Sequence, residues 1–475
     1  MTTAELIRRG ARRFPGRTAV ICGDASLTFS EVDELANRIA NVLLERRVDR
    51  VGLLAGNGLH SISLDFACVK AGIARVPLNP RLADAEMQAI LETAGTELVI
   101  ADRESRLDGE LLPLADLLEQ AARAGTADPL VAVGAETTLL LLATSGTTGK
   151  LKLVRHTQGT YAAVVANILA NLLDPRRDDV MLHAASLIHA SGTFVLPYWL
   201  RGAASAVLEG FAPAAFLDAI ERHGVTATNA VPTMLGALLH EPSRELPTLR
   251  TIVYGASPAP RALVERCIDR FGPVLVQYYG QTEAPLCISV LRPEDHVGDR
   301  IASCGHPAVE AEVALDEETG EIMVRAPFVA AGYYGDDELH RETFGADGWL
   351  RTRDVGRFDD EGYLYLVDRT SDMIVTGGYN VYPREVEDVL AAHPAVREAV
   401  VVGAPDEKWV EAVTAFVVAD GVTEDELVAH CRARLAAYKA PKSVRFVAEI
   451  PKSPVGKLLR RAVRDPLWEG HERPI

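Results

Sequence analysis

Short apolar runs alternate with stretches of helical periodicity from near the start of the chain. Residues 51–54 and 74–77 predict strands and 59–72 a helix between them, while 84–94 predicts a second helix ahead of a strand at 98–101. This βαβα rhythm predicts a parallel sheet covered by helices, and it continues to about residue 300, with buried strands at 252–255 and 274–278 leading into loops. The pattern then changes. Residues 310–370 alternate polar and apolar positions between turn signals such as Glu318-Thr319-Gly320 and Asp359-Asp360-Glu361-Gly362, which predicts an antiparallel β subdomain over about 305–370. From about residue 372, strands at 399–402 and 412–418 flank helical segments near 383–392 and 423–436, an α+β tail. The boundary falls at 369–372, giving an N-terminal domain of 1–370 and a C-terminal domain of 371–475. The fold class is α/β, a large N-terminal domain of stacked βα sheets with a small antiparallel subdomain.

Composition narrows the classes of function. A chain of 475 residues exceeds a single core. A net charge of −17 argues against nucleic acid or an anionic membrane as the main partner, and no window reaches the ~18 apolar residues of a membrane span. The six cysteines (22, 68, 267, 287, 304 and 431) form no Cys-x-x-Cys pair, and the first residues lack the layout of a secretory signal, so a reducing cytoplasmic location is expected. The oligomeric state is not legible, and a homodimer stays open.

The densest chemistry follows the apolar residues Leu139, Leu140, Leu141 and Leu142. There Thr144, Ser145, Gly146, Thr147, Thr148, Gly149 and Lys150 form a run of hydroxyls and glycines, with Lys152 close behind. Bare backbone N–H groups, hydroxyl donors and lysines suit a phosphate cradle. It is not a Walker A loop, because Thr144 stands where that pattern needs glycine and Leu151 where it needs Ser or Thr.

Further segments follow in order: Tyr279-Gly280-Gln281-Thr282-Glu283, Gly348-Trp349 with Thr352-Arg353-Asp354, Asp368-Arg369, Gly377-Gly378-Tyr379-Asn380, and Pro451-Lys452-Ser453-Pro454-Val455-Gly456-Lys457. Over nearly its whole length the chain resembles the adenylate-forming superfamily of acyl-CoA synthetases, luciferases and adenylation domains. In motifs it is nearest to acyl- and aryl-CoA ligases of the chlorobenzoate type. The resemblance implies a mobile C-terminal domain turning about a hinge at Ser371, with ATP, Mg²⁺ and coenzyme A as cofactors. It implies that the hydroxyl and glycine loop grips the β- and γ-phosphates, that Tyr279 stacks on adenine, and that Gly280 and Thr282 approach the α-phosphate. Glu283 beside the phosphates implies a bridging Mg²⁺, since two anions otherwise repel. Asp354 and Arg369 would hold the ribose, and Gly255, Ala256 and Ser257 would lie along the adenine.

Lys457 would neutralise carboxylate and α-phosphate as they meet. Gly377 and Gly378 would flank the pantetheine arm. Trp409 and Lys442 match the CoA segment of that subfamily, and packing of Trp409 on the small-domain sheet is the competing reading. The acyl pocket would involve His189, Ala190, Gly192, Val231, Tyr278 and Gly280, with small side chains leaving room. A histidine at 189, where amino-acid-activating relatives carry aspartate, disfavours α-amino acids. The absence of arginine disfavours dicarboxylates. A hydrophobic aryl, alicyclic or fatty acid is the expected substrate.

The chain departs from the pattern at Leu151 (usually proline), Leu153 and Arg353 (usually glycine), Ser371 (usually Asp or Lys), Val410 (usually glycine) and Ala440 (usually basic). Three readings compete with a complete CoA ligase. One is an enzyme that loads an acyl carrier protein in trans, and another is a ligase biased toward pre-formed acyl-AMP. The last, a binding protein without catalysis, fits poorly with Lys457, Glu283 and Asp354 all present.

Overall fold

The structure is a computed structural model that describes residues 1–145, 151–257, 259–369, 372–376, 379–406, 409–453 and 458–469. The leucine- and valine-rich runs build two large sheets. One has six strands in the order Glu110–Pro113, Leu98–Ala101, Arg50–Leu54, Ala74–Pro77, Thr138–Ser145, Leu151–Thr157. Its inner pairs are parallel and its crossovers include the helices Ser61–Ala71 and Asp84–Ala94, as the rhythm predicts. The second has nine strands, with a parallel centre that includes Val180–His183, Ala227–Ala230, Thr251–Gly255 and Leu275–Gln281.

Two corrections concern the strands that carry the motifs. Thr138–Ser145 pairs antiparallel with Leu151–Thr157, and Leu275–Gln281 pairs antiparallel with Ala284–Leu291. Each connection is too short for the crossover that parallel pairing requires. Tyr279, Gly280 and Gln281 therefore lie on a strand rather than in a loop, and only Thr282 and Glu283 form the turn.

The antiparallel subdomain is a four-stranded sheet, Glu312–Leu315, Glu321–Arg325, Leu350–Phe358 and Leu364–Arg369. It includes a helix the alternation does not show, Asp337–Thr343, capped by the Asp336 carboxylate accepting from Leu339 N at 3.0 Å. In the C-terminal sheet the edge strand Val396–Asp406 pairs antiparallel with the central Val410–Ala419, both longer than expected, and the helix Glu424–Arg432 is shorter. Among the described residues no helix is long and apolar enough to cross a membrane.

Two features lock the N-terminal region. Trp199 stacks on Phe29 at 4.3 Å, meets Phe66 edge-on at 4.9 Å and donates its Nε1–H to Ile7 O at 2.8 Å. Lys70, fully buried, donates to Asp33 at 2.7 Å and Asn37 at 2.5 Å and pairs with Asp128 at 2.9 Å. Arg8 grips the same Asp128 through both oxygens, at 2.8 and 2.9 Å.

Candidate active site

The segment expected to cradle phosphate is flanked by two antiparallel strands that set Thr144 opposite Lys152 and Ser145 opposite Leu151. Gly146, Thr147, Thr148, Gly149 and Lys150, with the side chain of Ser145, lie outside the described residues. The two departures in the stem have a packing reason. Leu153 is 1% exposed in a core formed with Leu54, Met87, Ile90 and Leu141, and Leu151 packs against the same cluster. Strand alternation turns Lys152 the other way. Its Nζ sits 5.5 Å over the Tyr333 ring, and burial lowers its proton affinity, with the Arg353 charge adding to the effect.

The Thr282–Glu283 turn is held from two sides. His156, on the stem strand Leu151–Thr157, donates from Nε2 to Thr282 O at 2.8 Å. Burial pushes this imidazole down to about 4, so it stays neutral. Tyr333 donates its hydroxyl to Glu283 Oε1 at 2.6 Å, and Ala330 N donates to Glu283 O at 2.7 Å. Burial, reinforced by the Glu283 charge, drives the Tyr333 hydroxyl far above its ordinary range and keeps it a donor. Glu283 keeps a second oxygen for a cation. Among the described residues no cluster of three or more His, Cys, Asp or Glu could hold a metal. One carboxylate beside a phosphate cradle fits Mg²⁺, which takes few protein ligands and completes its shell with phosphate oxygens and water.

Asp354 is positioned by a bulge. Glu321 pairs with Val355 and Met323 with Arg351, so three residues of one strand oppose Ile322 alone. Thr352 Oγ1 donates to Ile322 O at 2.7 Å, and Arg353 takes a φ of 61°. This turns Asp354 inward, where it is 6% exposed and its Oδ2 accepts from the Tyr279 hydroxyl at 2.7 Å. Tyr279, expected to stack on adenine, is instead 6% exposed and packs in the core with Tyr278, and its hydroxyl orients the aspartate. Arg369 stands directly across the ladder from Asp354, though its side chain lies outside the described residues.

The acyl side lies at the carboxyl ends of the parallel strands, where open α/β sheets place ligands. His189 precedes the short helix Ala190–Thr193, and its Nε2 accepts from Asn79 Nδ2 at 3.2 Å, while Asn79 Oδ1 accepts from Arg81 N at 3.0 Å. Asn57 pins the preceding loop, donating to Ala185 O and Leu208 O at 3.0 Å each and accepting from Leu187 N at 2.9 Å. Beneath, His183 Nδ1 meets Ser191 Oγ at 2.9 Å, and Ser191 Oγ donates to Asn229 Oδ1 at 2.8 Å. Val231 caps the helix Pro232–Leu238.

The small residues of the acyl side need a different explanation from open space. A Cβ on Gly280 would meet Leu286 N at 2.7 Å, one on Gly192 would meet Leu187 C at 3.1 Å, and one on Gly255 would meet the Tyr278 ring at 3.0 Å. Ala284 is fully buried and Ala230 is 3% exposed. The three glycines are small because neighbouring chain passes against them. Ala256 takes a φ of 65°, and Ser257 follows it at the strand end.

In the C-terminal domain Gly377, Gly378, Ser371 and Lys457 lie outside the described residues. The flanks of the Lys457 segment are fixed, with Lys452 bridging Leu458 and Leu459 N donating to Pro451 O at 2.8 Å. Beside the hinge position, Asp372 accepts from Arg460 at 2.7 Å. Trp409 is half-buried, and Lys442 Nζ lies 5.4 Å over its ring, bringing these two residues together. Ala440 is 1% exposed in the small-domain core, so this position does not face a ligand. Val410 keeps the glycine-like backbone of its position, with φ 70°.

Asn57, Asn79, His156, Tyr333 and the Tyr279 hydroxyl are the contributors that sequence reasoning missed. Only Tyr279 carried any signal.

The antiparallel stem at 138–157, the braced Thr282–Glu283 turn and the inward Asp354 come in the order that the resemblance to adenylate-forming enzymes leads one to expect. Residues 7–334 match the model of the AMP-binding enzyme family, and residues 385–457 match that of the AMP-binding enzyme C-terminal domain. The chain is 38% identical to a feruloyl-CoA synthase of Amycolatopsis over 96% of its length and 97% of the relative's. It is 37% identical to a medium/long-chain fatty-acid–CoA ligase of Mycobacterium tuberculosis over 98% and 90%. The o-succinylbenzoate CoA synthetase of Bacillus subtilis superposes with a TM-score of 0.88 at 32% identity, covering 98% of each chain, in a complex with its acyl-adenylate. The same enzyme in complex with ATP and magnesium gives a TM-score of 0.87 at 32% identity, covering 96% of this chain and 98% of the other. The chain belongs to the AMP-binding enzyme family. It is an acid–thiol ligase of the AMP-forming kind.

Proposed function

We propose that the chain activates a hydrophobic monocarboxylic acid with Mg·ATP and passes the acyl group to coenzyme A. The observation that carries this reading is the convergence of three separately built parts. These are the hairpin stem with Lys152, the Thr282–Glu283 turn braced by His156 and Tyr333, and Asp354 held by Tyr279.

In the first half-reaction a carboxylate oxygen attacks the α-phosphorus and pyrophosphate leaves. The loop from Thr144 to Lys150 and Lys152 hold the leaving group, Asp354 with Arg369 holds the ribose, and Thr282 lies beside the α-phosphate. Gly255, Ala256 and Ser257 line the base. Mg²⁺, held through Glu283, would neutralise the polyphosphate charge. Lys457 reaches both reacting anions. In the second half-reaction the C-terminal domain, residues 371–475, turns about Ser371. Gly377 and Gly378 then border the thiol arm, with Trp409 and Lys442 at its phosphate end. His189, oriented by the Asn79 amide, stands between acyl pocket and thiol.

Feruloyl and fatty acyl relatives support an aryl or fatty acid here, and the lack of arginine among the acyl-side segments supports one carboxylate rather than two. The free thiols, five of six buried, support a cytoplasmic location. Coenzyme A is the proposed acceptor in preference to a carrier protein, because Trp409 and Lys442 form one surface. No described feature favours a homodimer.

Pyrophosphate release measured across a panel of aryl, alicyclic and fatty acids, with coenzyme A or a pantetheinylated carrier, tests the reading. Turnover with carrier alone would replace the proposed acceptor. Product from supplied acyl-AMP without any from ATP would overturn the first half-reaction.

A further inference from the structure

Four buried polar side chains form a row beneath the acyl side. Ser205, His183 and Asn229 stand on three neighbouring strands of the nine-stranded sheet, and Ser191 stands on the short helix that follows His189. They touch in sequence. Ser205 Oγ lies 3.2 Å from His183 Nε2, His183 Nδ1 lies 2.9 Å from Ser191 Oγ, and Ser191 Oγ lies 2.8 Å from Asn229 Oδ1.

The row has a direction, because a serine has one proton to give. Ser191 spends its proton on Asn229 Oδ1, so it accepts from His183 Nδ1–H, and the neutral ring accepts at Nε2 from Ser205. Burial holds that imidazole neutral, down to about 3. The Asn229 amide is thereby fixed, with Oδ1 toward Ser191 and Nδ2 turned away from it. Among the described residues Nδ2 donates to no acceptor. It is also not one of the enclosed polar atoms, so it keeps open surface within a residue only 5% exposed.

That opening lies where an acyl group belongs. Asn229 is the penultimate residue of Ala227–Ala230, opposite Val253. Beyond it Val231 follows, Gly255 ends the neighbouring strand beside Tyr278, and Ser191 reaches across from the helix Ala190–Thr193. Small and apolar residues dominate this side, so an amide hydrogen without an acceptor costs free energy that a ligand oxygen recovers. In a mostly apolar wall the few polar groups set specificity.

Resting on the adenylation reading above, we propose that Asn229 is a specificity-determining residue whose amide N–H meets a neutral oxygen on the tail of the acid. The substrate is then a hydrophobic acid that carries an ether, keto or hydroxyl oxygen, rather than a plain hydrocarbon acid. His183 and Ser191 are positioning residues for that amide.

Acids in matched pairs test this on the full chain. Para-methoxycinnamic acid is set against para-ethylcinnamic acid, the meta pair likewise, and decanoic acid against analogues with one ether oxygen in place of each methylene in turn. The readout is the ratio of kcat/KM within a pair for acid-dependent pyrophosphate release, which a partly inactive preparation leaves unchanged. At least one pair should favour the oxygen-bearing member about tenfold, since a site built to hydrogen-bond an oxygen rejects the analogue lacking it. Asn229→Leu should bring that ratio to within about twofold, and Ser191→Ala, which frees the amide to turn, should lower it about threefold or more. A ratio below about threefold in every pair, or one that Asn229→Leu leaves in place, would overturn the inference. An unchanged ratio in Ser191→Ala would overturn the part given to the row. Equilibrium dialysis with the same pairs separates this inference from the reading beneath it. Tighter binding of the oxygen-bearing acid, lost in Asn229→Leu, with no pyrophosphate released from ATP would sink the adenylation reading and keep the role of Asn229.

Discussion

Tyr333→Phe removes one oxygen atom and, with it, the donor that fixes Glu283. The bond is short, 2.6 Å, and its acceptor is a carboxylate, the class for which a lost partner costs about 1.5–3 kcal/mol. Glu283 is half-buried, so water replaces part of the bond and the lower figure applies, about 1.5 kcal/mol. The phenyl ring keeps its edge contact with Phe344 at 5.5 Å and its place under Lys152, and Ala330 N still holds the turn backbone. The loss therefore falls on carboxylate orientation, about tenfold in rate. Acid-dependent exchange of pyrophosphate into ATP, measured while Mg²⁺ is titrated, should slow about tenfold and need more metal. Thioester formation from supplied acyl-AMP should stay within about twofold, because that step holds no polyphosphate. Equal loss in both half-reactions, or no loss in either, would refute the assignment of Tyr333 and Glu283 to the polyphosphate end.

Three further outcomes are expected. Lys457→Ala should abolish adenylate formation and spare thioester formation from acyl-AMP; equal loss of both steps in single-turnover assays would contradict its role. Lys70→Met strips a buried cation from Asp33 and Asp128, and urea unfolding should show a loss of about 3 kcal/mol, at the low end because both aspartates keep some solvent. His156 and His183 are held neutral by burial, at about 4 and about 3, below the unfolded value of 6.5. The unfolded chain thus takes up protons first, and stability should fall from pH 6.5 toward 4 by about 1.4 kcal/mol per pH unit per histidine. His156→Asn should flatten that slope in pH-dependent urea titrations.

Much of the fold was legible because its signals are local. The helix at 84–94 and the strand at 98–101 fall at the expected residues, since their apolar spacing is complete within a few turns. The motif-bearing strands Thr138–Ser145 and Leu275–Gln281 do join parallel neighbours as expected, but the antiparallel partner that follows each was not read, because pairing direction depends on connection length more than on the strands themselves. The site divides the same way. Contiguous motifs announced Glu283 and Asp354, whereas their supports lie far along the chain. Tyr333 is 50 residues from Glu283, His156 is 126 from Thr282, Asn79 is 110 from His189, and Tyr279 is 75 from Asp354. Departures from the family pattern became intelligible only in three dimensions. Leu153 fills a core, Ala440 is buried in another, and Arg353 and Val410 both hold a backbone that glycine would take freely.

The central claim is attack of a carboxylate on the α-phosphorus of ATP. Turnover of a hydrophobic acid labelled with ¹⁸O in its carboxylate, with Mg·ATP and coenzyme A, tests it most directly by mass spectrometry of the nucleotide. One ¹⁸O in the AMP released is the expected result. Label appearing in inorganic phosphate together with ADP, or unlabelled AMP beside acyl-CoA, would contradict it.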